Sequence, residues 1–207
     1  ALLETLRWGP GEGYWLLDRH VRRMGESARY FGFPLDPAAV VQCLEGAAAD
    51  FPPEPRRVRL RAAADGGLTV EHAPLPARPA ARWRVALAVE PIDPDDRFLY
   101  HKTTHRAVYE RARASRPGYD DVLLWNPRGE LTESTIANLV VRRRGRWLTP
   151  PVASGLLPGT YRAELLARGR IREAVLTPAD LARAEAVYLV NSLRGWMRAE
   201  FTGCISG

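Results

Sequence analysis

One lysine stands among the 30 basic residues of this 207-residue chain, in the stretch LYHKTTHRAVY at 99–109. A composition rich in Ala, Arg, Gly and Pro erodes lysine generally, and that alone is one account of its scarcity. The amine of Lys102 can also do what a guanidinium cannot: lose its proton when buried and attack a carbonyl carbon. Three further groups suit such chemistry. Glu133, in LTESTIANLVV, sits at a bend before a strand, where a carboxylate can face inward. SGLLPGTYR, 154–162, puts Gly159, Thr160 and Tyr161 at a helix start, whose N–H groups and dipole favour an anion. Arg23 shares a helix face with His20 and Ser27 beside an apolar stripe, so it is half-buried and requires an anionic partner.

Together these groups fit imine chemistry on a carbonyl cofactor, of which pyridoxal 5'-phosphate is the commonest. Such a site needs an acid at the pyridine nitrogen, a cradle for the phosphate and packing against the ring. Each group has a plain structural reading too. Glu133 can be a strand-end acid, Pro158-Gly159 an ordinary helix start, and Asn191-Ser192 a turn after an apolar strand. Arg23 can pair with Glu26 or another surface carboxylate. His101 and His105 flank the lysine and read as packed or solvent-facing side chains, with catalysis as the alternative.

Elements must bring these residues to their places. ALLETLRW reads as a strand, GPGEG as a turn and YWLL as its return partner. Asp18 caps a helix whose Val21, Met24, Ala28 and Phe31 form one apolar stripe. A second helix fits 37–49, strands at 57–63 and 68–73 flank Asp65-Gly66-Gly67, and 82–89 is another strand. The acids and prolines of EPIDPDDRF, 90–98, suit neither helix nor strand. They predict a small α+β domain over 1–92, a linker at 93–98 and a larger mixed α/β domain over 99–207. In the latter, Thr104 caps a helix running to about Arg116, and strands are predicted at 121–125, 138–142, 146–149, 172–176 and 186–191, with a helix at 160–168. Lys102 falls just past the linker, where a cleft between domains would lie.

Composition narrows the function classes. No run of about 18 apolar residues predicts a membrane span, and no basic-then-apolar leader is visible, so a cytoplasmic protein away from membranes is expected. Cys43 and Cys204 match no metal or redox spacing and read as reduced thiols, and no metal is expected. The net charge of +6 raises the question of nucleic acid. In RRVRLR, however, Arg57, Arg59 and Arg61 alternate with Val58, Leu60 and Ala62, as in an antiparallel strand with one wet face. VRRRGRW, 141–147, reads as a hairpin around Gly145. No zinc-finger, RNA-recognition or helix-turn-helix signature accompanies either cluster, so nucleic acid is not an expected partner. A small anionic substrate suits the same charge.

In chain order the motifs are HxxR (His20, Arg23), Lys102, E-x4-N (Glu133, Asn138), LPG-x-x-R (Leu157 to Arg162) and NSLRG (Asn191 to Gly195). This order resembles the class IV pyridoxal-phosphate enzymes of fold type IV, over essentially the whole chain. That family includes branched-chain and D-amino-acid aminotransferases and aminodeoxychorismate lyase. The resemblance implies a two-domain α+β fold, a homodimer, and pyridoxal 5'-phosphate held covalently by Lys102. It implies that Glu133 binds the pyridine nitrogen, that Leu157 packs behind the ring, and that Arg23, the Thr160 and Tyr161 N–H groups and Ser192 hold the phosphate. Thr5 and Arg7 in ETLR, and Arg194, match positions that face substrate in relatives. Aminotransferases often carry a tyrosine shortly after the lysine, and here that place reads Thr-His-Arg-Ala. ETLR, HKTTHRAVYE and VNSLRGW are most similar to the lyase, especially the lyase half of chains fused to aminodeoxychorismate synthase. The start of the chain inside the first strand motif fits an excised or separately expressed part of such a fusion. The expected reaction is the conversion of 4-amino-4-deoxychorismate to 4-aminobenzoate and pyruvate, with Lys102 moving the proton and Thr5 protonating the departing enolpyruvyl group. A class IV aminotransferase is the alternative. A third reading, a non-enzymatic basic domain, is opposed by the joint presence of Lys102, Glu133 and LPGTYR.

Overall fold

Alternation along strand β1 (Leu2–Gly9) buries Leu2, Glu4 and Leu6 on one face and puts Thr5 and Arg7 on the other. The strand belongs to a computed structural model that describes residues 1–77 and 82–202; Cys204, read above as a reduced thiol, lies outside the described residues. The expected return strand YWLL shortens to β2 (Gly13–Tyr14), because Leu16 turns into the left-handed region at φ 59 and starts helix α1 (Leu17–Phe31). Asp18 therefore lies in the first turn, where its charge meets the helix dipole, and not at the cap. Met24 and Ala28 of α1 pack with Leu2, Leu6, Val58 and Leu60, joined by Val40 and Leu44 of α2 (Pro37–Ala48). Each fully buried leucine contributes about 1.5–3 kcal/mol. β3 (Arg56–Ala62) and β4 (Leu68–Pro74) complete a sheet of order β2-β1-β3-β4. Their turn needs glycine at Gly66, φ 89, where a Cβ would meet Pro34 O at 2.4 Å.

The chain forms two compact units, and the first takes Ala1–Arg78 together with His101–His105. That short segment joins β1: Leu3 N–H donates to Lys102 O at 2.9 Å, Thr104 N–H donates to Ala1 O at 2.9 Å, and Leu2 faces Thr103 in an antiparallel bridge.

The second unit takes Pro79–Tyr100 and Arg106–Gly207. Its elements are β5 (Trp83–Leu87), α3 (Ala107–Ala114), β6 (Asp121–Trp125), β7 (Leu131–Ser134), β8 (Asn138–Arg143), β9 (Arg146–Thr149), α4 (Thr160–Ala167), β10 (Arg172–Glu173), α5 (Pro178–Ala182), β11 (Ala186–Asn191) and β12 (Gly195–Phe201). The strand order is β10-β9-β8-β11-β12-β5-β6-β7, and β7 pairs again with β8 at Glu133↔Asn138, closing six strands into a ring. Near-continuous burial in DVLLW and NLVV follows from cover on both faces, and Leu123, Leu139, Leu189 and Met197 share the main core.

The predicted division at 93–98 falls inside this second unit. β5 pairs in parallel with β12 and β6, Ile92 and Leu99 are buried, and Ile92 N–H donates to Trp125 O at 2.8 Å. The acids and prolines there mark irregular backbone folded onto a core. Thr104 is bonded to Ala1, so α3 starts at Ala107 instead. Three strands and helices were not read from the sequence: β7, where Glu133 lies on a strand and not at a bend, α5, with its Thr177/Asp180 capping box, and β12. Among the described residues no helix is long and apolar enough to cross a membrane.

Candidate active site

In the first unit, β1 turns a glutamate toward α1. Glu4 is 1% exposed, and Arg23 grips it twice, Nε donating to Oε1 at 2.8 Å and Nη2 to Oε2 at 2.6 Å. His20 Nδ1 lies 2.7 Å from Oε2. Burial pushes the Glu4 carboxyl upward, but the charge of Arg23 and the hydrogen bonds from His20 and Arg23 outweigh it and hold the pKa at about 2. An ionised carboxylate has no proton to give, so His20 donates through Nδ1. Burial drives the pKa of His20 below its ordinary value; Glu4 opposes that, while the charges of Arg23 and Lys102 add to it. His20 is thus a neutral ring within reach of two cations. His101 packs on Tyr30 with ring centroids 4.4 Å apart, and its Nδ1 lies 3.0 Å from Ser27 Oγ, which matches the packed reading of that histidine.

Thr5 and Arg7 occupy the opposite face of β1. Thr5 stands opposite Arg59 and Arg7 opposite Arg57, with Arg61 further along the same face. Arg61 is bonded to Glu71 at 3.0 Å, and Arg7 lies 4.0 Å from Glu12. Among the described residues no carboxylate pairs with Arg57 or Arg59, and Arg57 Nε is buried without a partner. Like charges directly opposite across a ladder destabilise it, as Arg7 and Arg57 do here, whereas Arg59 has Glu71 opposite it on β4.

In the second unit Glu133 is 4% exposed on β7 and held by neutral donors. Tyr109 OH donates to Oε1 at 2.9 Å, Leu157 N–H to Oε1 at 3.0 Å, and Asn138 Nδ2 to Oε2 at 3.1 Å. Burial, and then the charge of Glu133, raise the Tyr109 pKa well above its ordinary value, so the phenol keeps its proton and donates it. Arg106 lies over the Tyr109 ring at 4.7 Å and donates to Thr135 O at 2.6 Å. Asn138 also donates to Leu157 O at 2.8 Å, which ties the LPG loop to β8. Gly159 is required there, since a Cβ would stand 2.0 Å from Asn138 Oδ1. Upstream, Glu130 accepts from Asn126, Arg128 and Ser154 and anchors the start of the same loop.

The structure therefore brings the predicted residues together in two sets. In the first unit Arg23 meets Glu4 on one face of β1, Thr5 and Arg7 lie on the other, and the main chain of Lys102 is bonded to Leu3 of the same strand. Glu133 and Leu157 meet in the second, with Thr160 and Tyr161 in the first turn of α4, where backbone N–H groups lack intrahelical partners. Ser192 is buried in the β11–β12 turn, whose Leu193 and Arg194 N–H groups donate to Asn191 Oδ1 at 3.1 and 2.8 Å. The Arg194 guanidinium stands 5.9 Å from the Trp83 ring. Arg162 of LPG-x-x-R is structural, donating to Pro150 O at 2.7 Å and Glu173 Oε1 at 2.5 Å. Arg23 pairs with Glu4, a buried strand residue, and not with Glu26, which lies against Arg22. The sequence reading missed Glu4 and Tyr109. Glu4 had a signal, a charge in the inward slot of an alternating strand; Tyr109 had none.

A closed ring of strands that buries a neutrally held carboxylate, in a chain with one lysine and a helix-start anion cradle, defines a class of enzymes. The chain belongs to it: the sequence profile of the family described as "Amino-transferase class IV" matches residues 1–200. A Schizosaccharomyces pombe protein named "Putative aminodeoxychorismate lyase" is 34% identical over 188 residues, covering 86% of this chain and 80% of its own. The solved structure of a "Putative amino-acid aminotransferase" from Mesorhizobium loti is 38% identical with a TM-score of 0.91, covering 97% of this chain and 99% of that one. A "hypothetical aminotransferase" from Mycobacterium tuberculosis, solved in its PLP-bound form, is 25% identical with a TM-score of 0.82, over 97% of this chain and 80% of its own.

Proposed function

We propose that the chain is a pyridoxal 5'-phosphate-dependent lyase acting on 4-amino-4-deoxychorismate. The family consists of pyridoxal-phosphate enzymes, and the donor set here fits the group: one reactive amine, an oriented carboxylate, a buried guanidinium and a helix start beside Gly159. Bound pyridoxal phosphate supplies a carbonyl that condenses with amines and a ring that draws electrons from the carbon bearing the substrate nitrogen. Lys102 would hold the cofactor through its amine and would take the proton from substrate C4. Glu133 would hold a proton at the ring nitrogen, and Leu157 would pack against the ring. Arg23, the Thr160 and Tyr161 N–H groups and Ser192 hold the phosphate. Thr5 donates a proton to the methylene carbon of the departing enolpyruvyl group, which leaves as pyruvate while the ring becomes 4-aminobenzoate. Arg7 and Arg194 orient the two substrate carboxylates.

One observation carries the lyase reading: the β1–β3 face, where Thr5 and Arg7 stand opposite Arg59 and Arg57. A dicarboxylate suits that face, and a branched aliphatic amino acid does not. The Mesorhizobium loti relative favours a second reading, an aminotransferase, in which Lys102 delivers the proton to the cofactor carbon and the nitrogen stays behind. The reaction decides between them. The lyase turns over aminodeoxychorismate many times without added keto acid and releases pyruvate and 4-aminobenzoate in equal amounts. Dependence on 2-oxoglutarate overturns that reading. Borohydride should fix the cofactor on the one lysine of the chain, and a label confined to the N-terminal amine would remove the site altogether.

A further inference from the structure

We propose that His101 is a positioning residue for Lys102: by seating on α1 it fixes the register of the 101–105 segment, and with it the face of the sheet from which the lysine projects. Beyond Arg78 these residues return to the first unit as a strap, between two stretches of the second. The strap lies along the start of β1, with Leu3 N–H donating to Lys102 O and Thr104 N–H to Ala1 O, each at 2.9 Å. Thr103 stands opposite Leu2, and both are buried. Directly opposite residues share a face and successive residues alternate, so Lys102 shares a face with Leu3, Thr5 and Arg7. Glu4 and its α1 partners lie on the other side.

Two backbone bonds and a single bridge specify a register weakly, and a slip of one residue turns every side chain to the opposite face. His101 supplies the missing constraint. Its Nδ1 lies 3.0 Å from Ser27 Oγ, and its ring packs on Tyr30 and Phe31 with centroids 4.4 and 5.0 Å apart. All three partners belong to α1, which covers the Leu2–Leu6 face of the sheet. His101 and Thr103 therefore both point to the helix side, and Lys102 between them points away. A slipped strap would exchange them and aim the amine at the helix side. That Lys102 is the reactive amine rests on the function proposed above; the face it takes does not.

A short bridge from amine to thiol reads that face without any cofactor. In the full 207-residue chain, Leu3→Cys places a thiol directly opposite Lys102, at a Cβ separation of about 4.5–5.5 Å. Succinimidyl iodoacetate, which joins an amine to a thiol, should link the two, and peptide mapping finds the bridge on the one lysine of the chain. Adding His101→Ala should lower the yield about three- to tenfold, the weight of one aromatic pair. Tyr30→Ala, at an exposed position of α1, should act the same way, and it carries the test if His101→Ala fails to fold by circular dichroism. His101→Phe keeps the ring packing and should restore most of the yield. A merely structural histidine would lower the urea midpoint of His101→Ala and leave the bridge yield of the folded chain in place. An unchanged yield in folded His101→Ala, or in Tyr30→Ala where that variant does not fold, overturns the proposal. A bridge from Lys102 to Cys43 of α2 in the parent chain overturns it too. Borohydride labelling with pyridoxal phosphate separates the two claims. A bridge that depends on His101, without a pyridoxyl label, keeps the role of His101 and removes the cofactor reading; a label with a bridge indifferent to His101 does the reverse.

Discussion

Each unit of the molecule buries a glutamate, and the two are held by opposite means. Glu4 is gripped by a guanidinium and an imidazole, whereas Glu133 accepts from a phenol, an amide and a backbone N–H. Cations hold a carboxylate ionised and also consume its charge. Neutral donors fix its direction and leave the charge to act on something else. The difference teaches how each acid is supported: Glu4 is locked between β1 and α1, and Glu133 is oriented by β8, α3 and the LPG loop.

The comparison breaks most readily at Glu4. Glu4→Ala strands a buried arginine and should cost about 3–5 kcal/mol of unfolding free energy in urea. Glu133→Ala leaves three neutral donors unsatisfied and should cost about 1–3 kcal/mol. Equal losses would erase the distinction. Acid sharpens it. The folded pKa of His20 lies below its ordinary 6.5, so the unfolded ring takes up its proton first and stability should start to fall below about pH 6.5. Glu4 stays ionised to about 2 against an ordinary 4.5, so its contribution is full above 4.5 and is lost as pH falls toward 2. Glu4→Gln should flatten that second decline in acid-unfolding curves.

The next effect is catalytic. Glu133→Gln keeps an acceptor for Tyr109 and Leu157, so stability should change by only about 1 kcal/mol. Turnover should fall roughly a hundredfold or more, about 3 kcal/mol in the barrier, because a neutral amide cannot keep the ring nitrogen protonated. Near-normal turnover in steady-state assays would make Glu133 a second scaffold acid. Tyr109→Phe is the smallest change. Losing one donor to Oε1 should cost about 1 kcal/mol in thermal stability and a several-fold loss of rate. A loss as large as that of Glu133→Gln would make the phenol a reactant instead of a support.

Local pattern made much of this legible. The alternation of LLETLR, the stripe through Met24 and Ala28 and the LPG helix start all rest on residues a few positions apart, and each element formed where its pattern lay. What the pattern could not carry was pairing over distance. Ile92 and Leu99 sit among prolines and acids that look like a linker, yet the pairing of β5 with β12, more than a hundred residues on, folds them into the second unit. Tyr109 meets Glu133 across 24 residues, from a helix whose rotation its own sequence leaves open. β12 went unread because Arg198 and Glu200 interrupt the apolar residues of WMRAEF, and it became a strand through its neighbours on both sides. Glu4 is the instructive case, since its inward slot was visible and only its partners, on another element, were not.

The ring of strands in the second unit is shut where Glu133 faces Asn138. The clasp of the barrel and the aim of its acid are therefore a single object. A mutation chosen to retune the chemistry at 133 also loosens the hoop, and one chosen to stiffen the hoop also redirects the acid. Any change at that position therefore has two consequences at once.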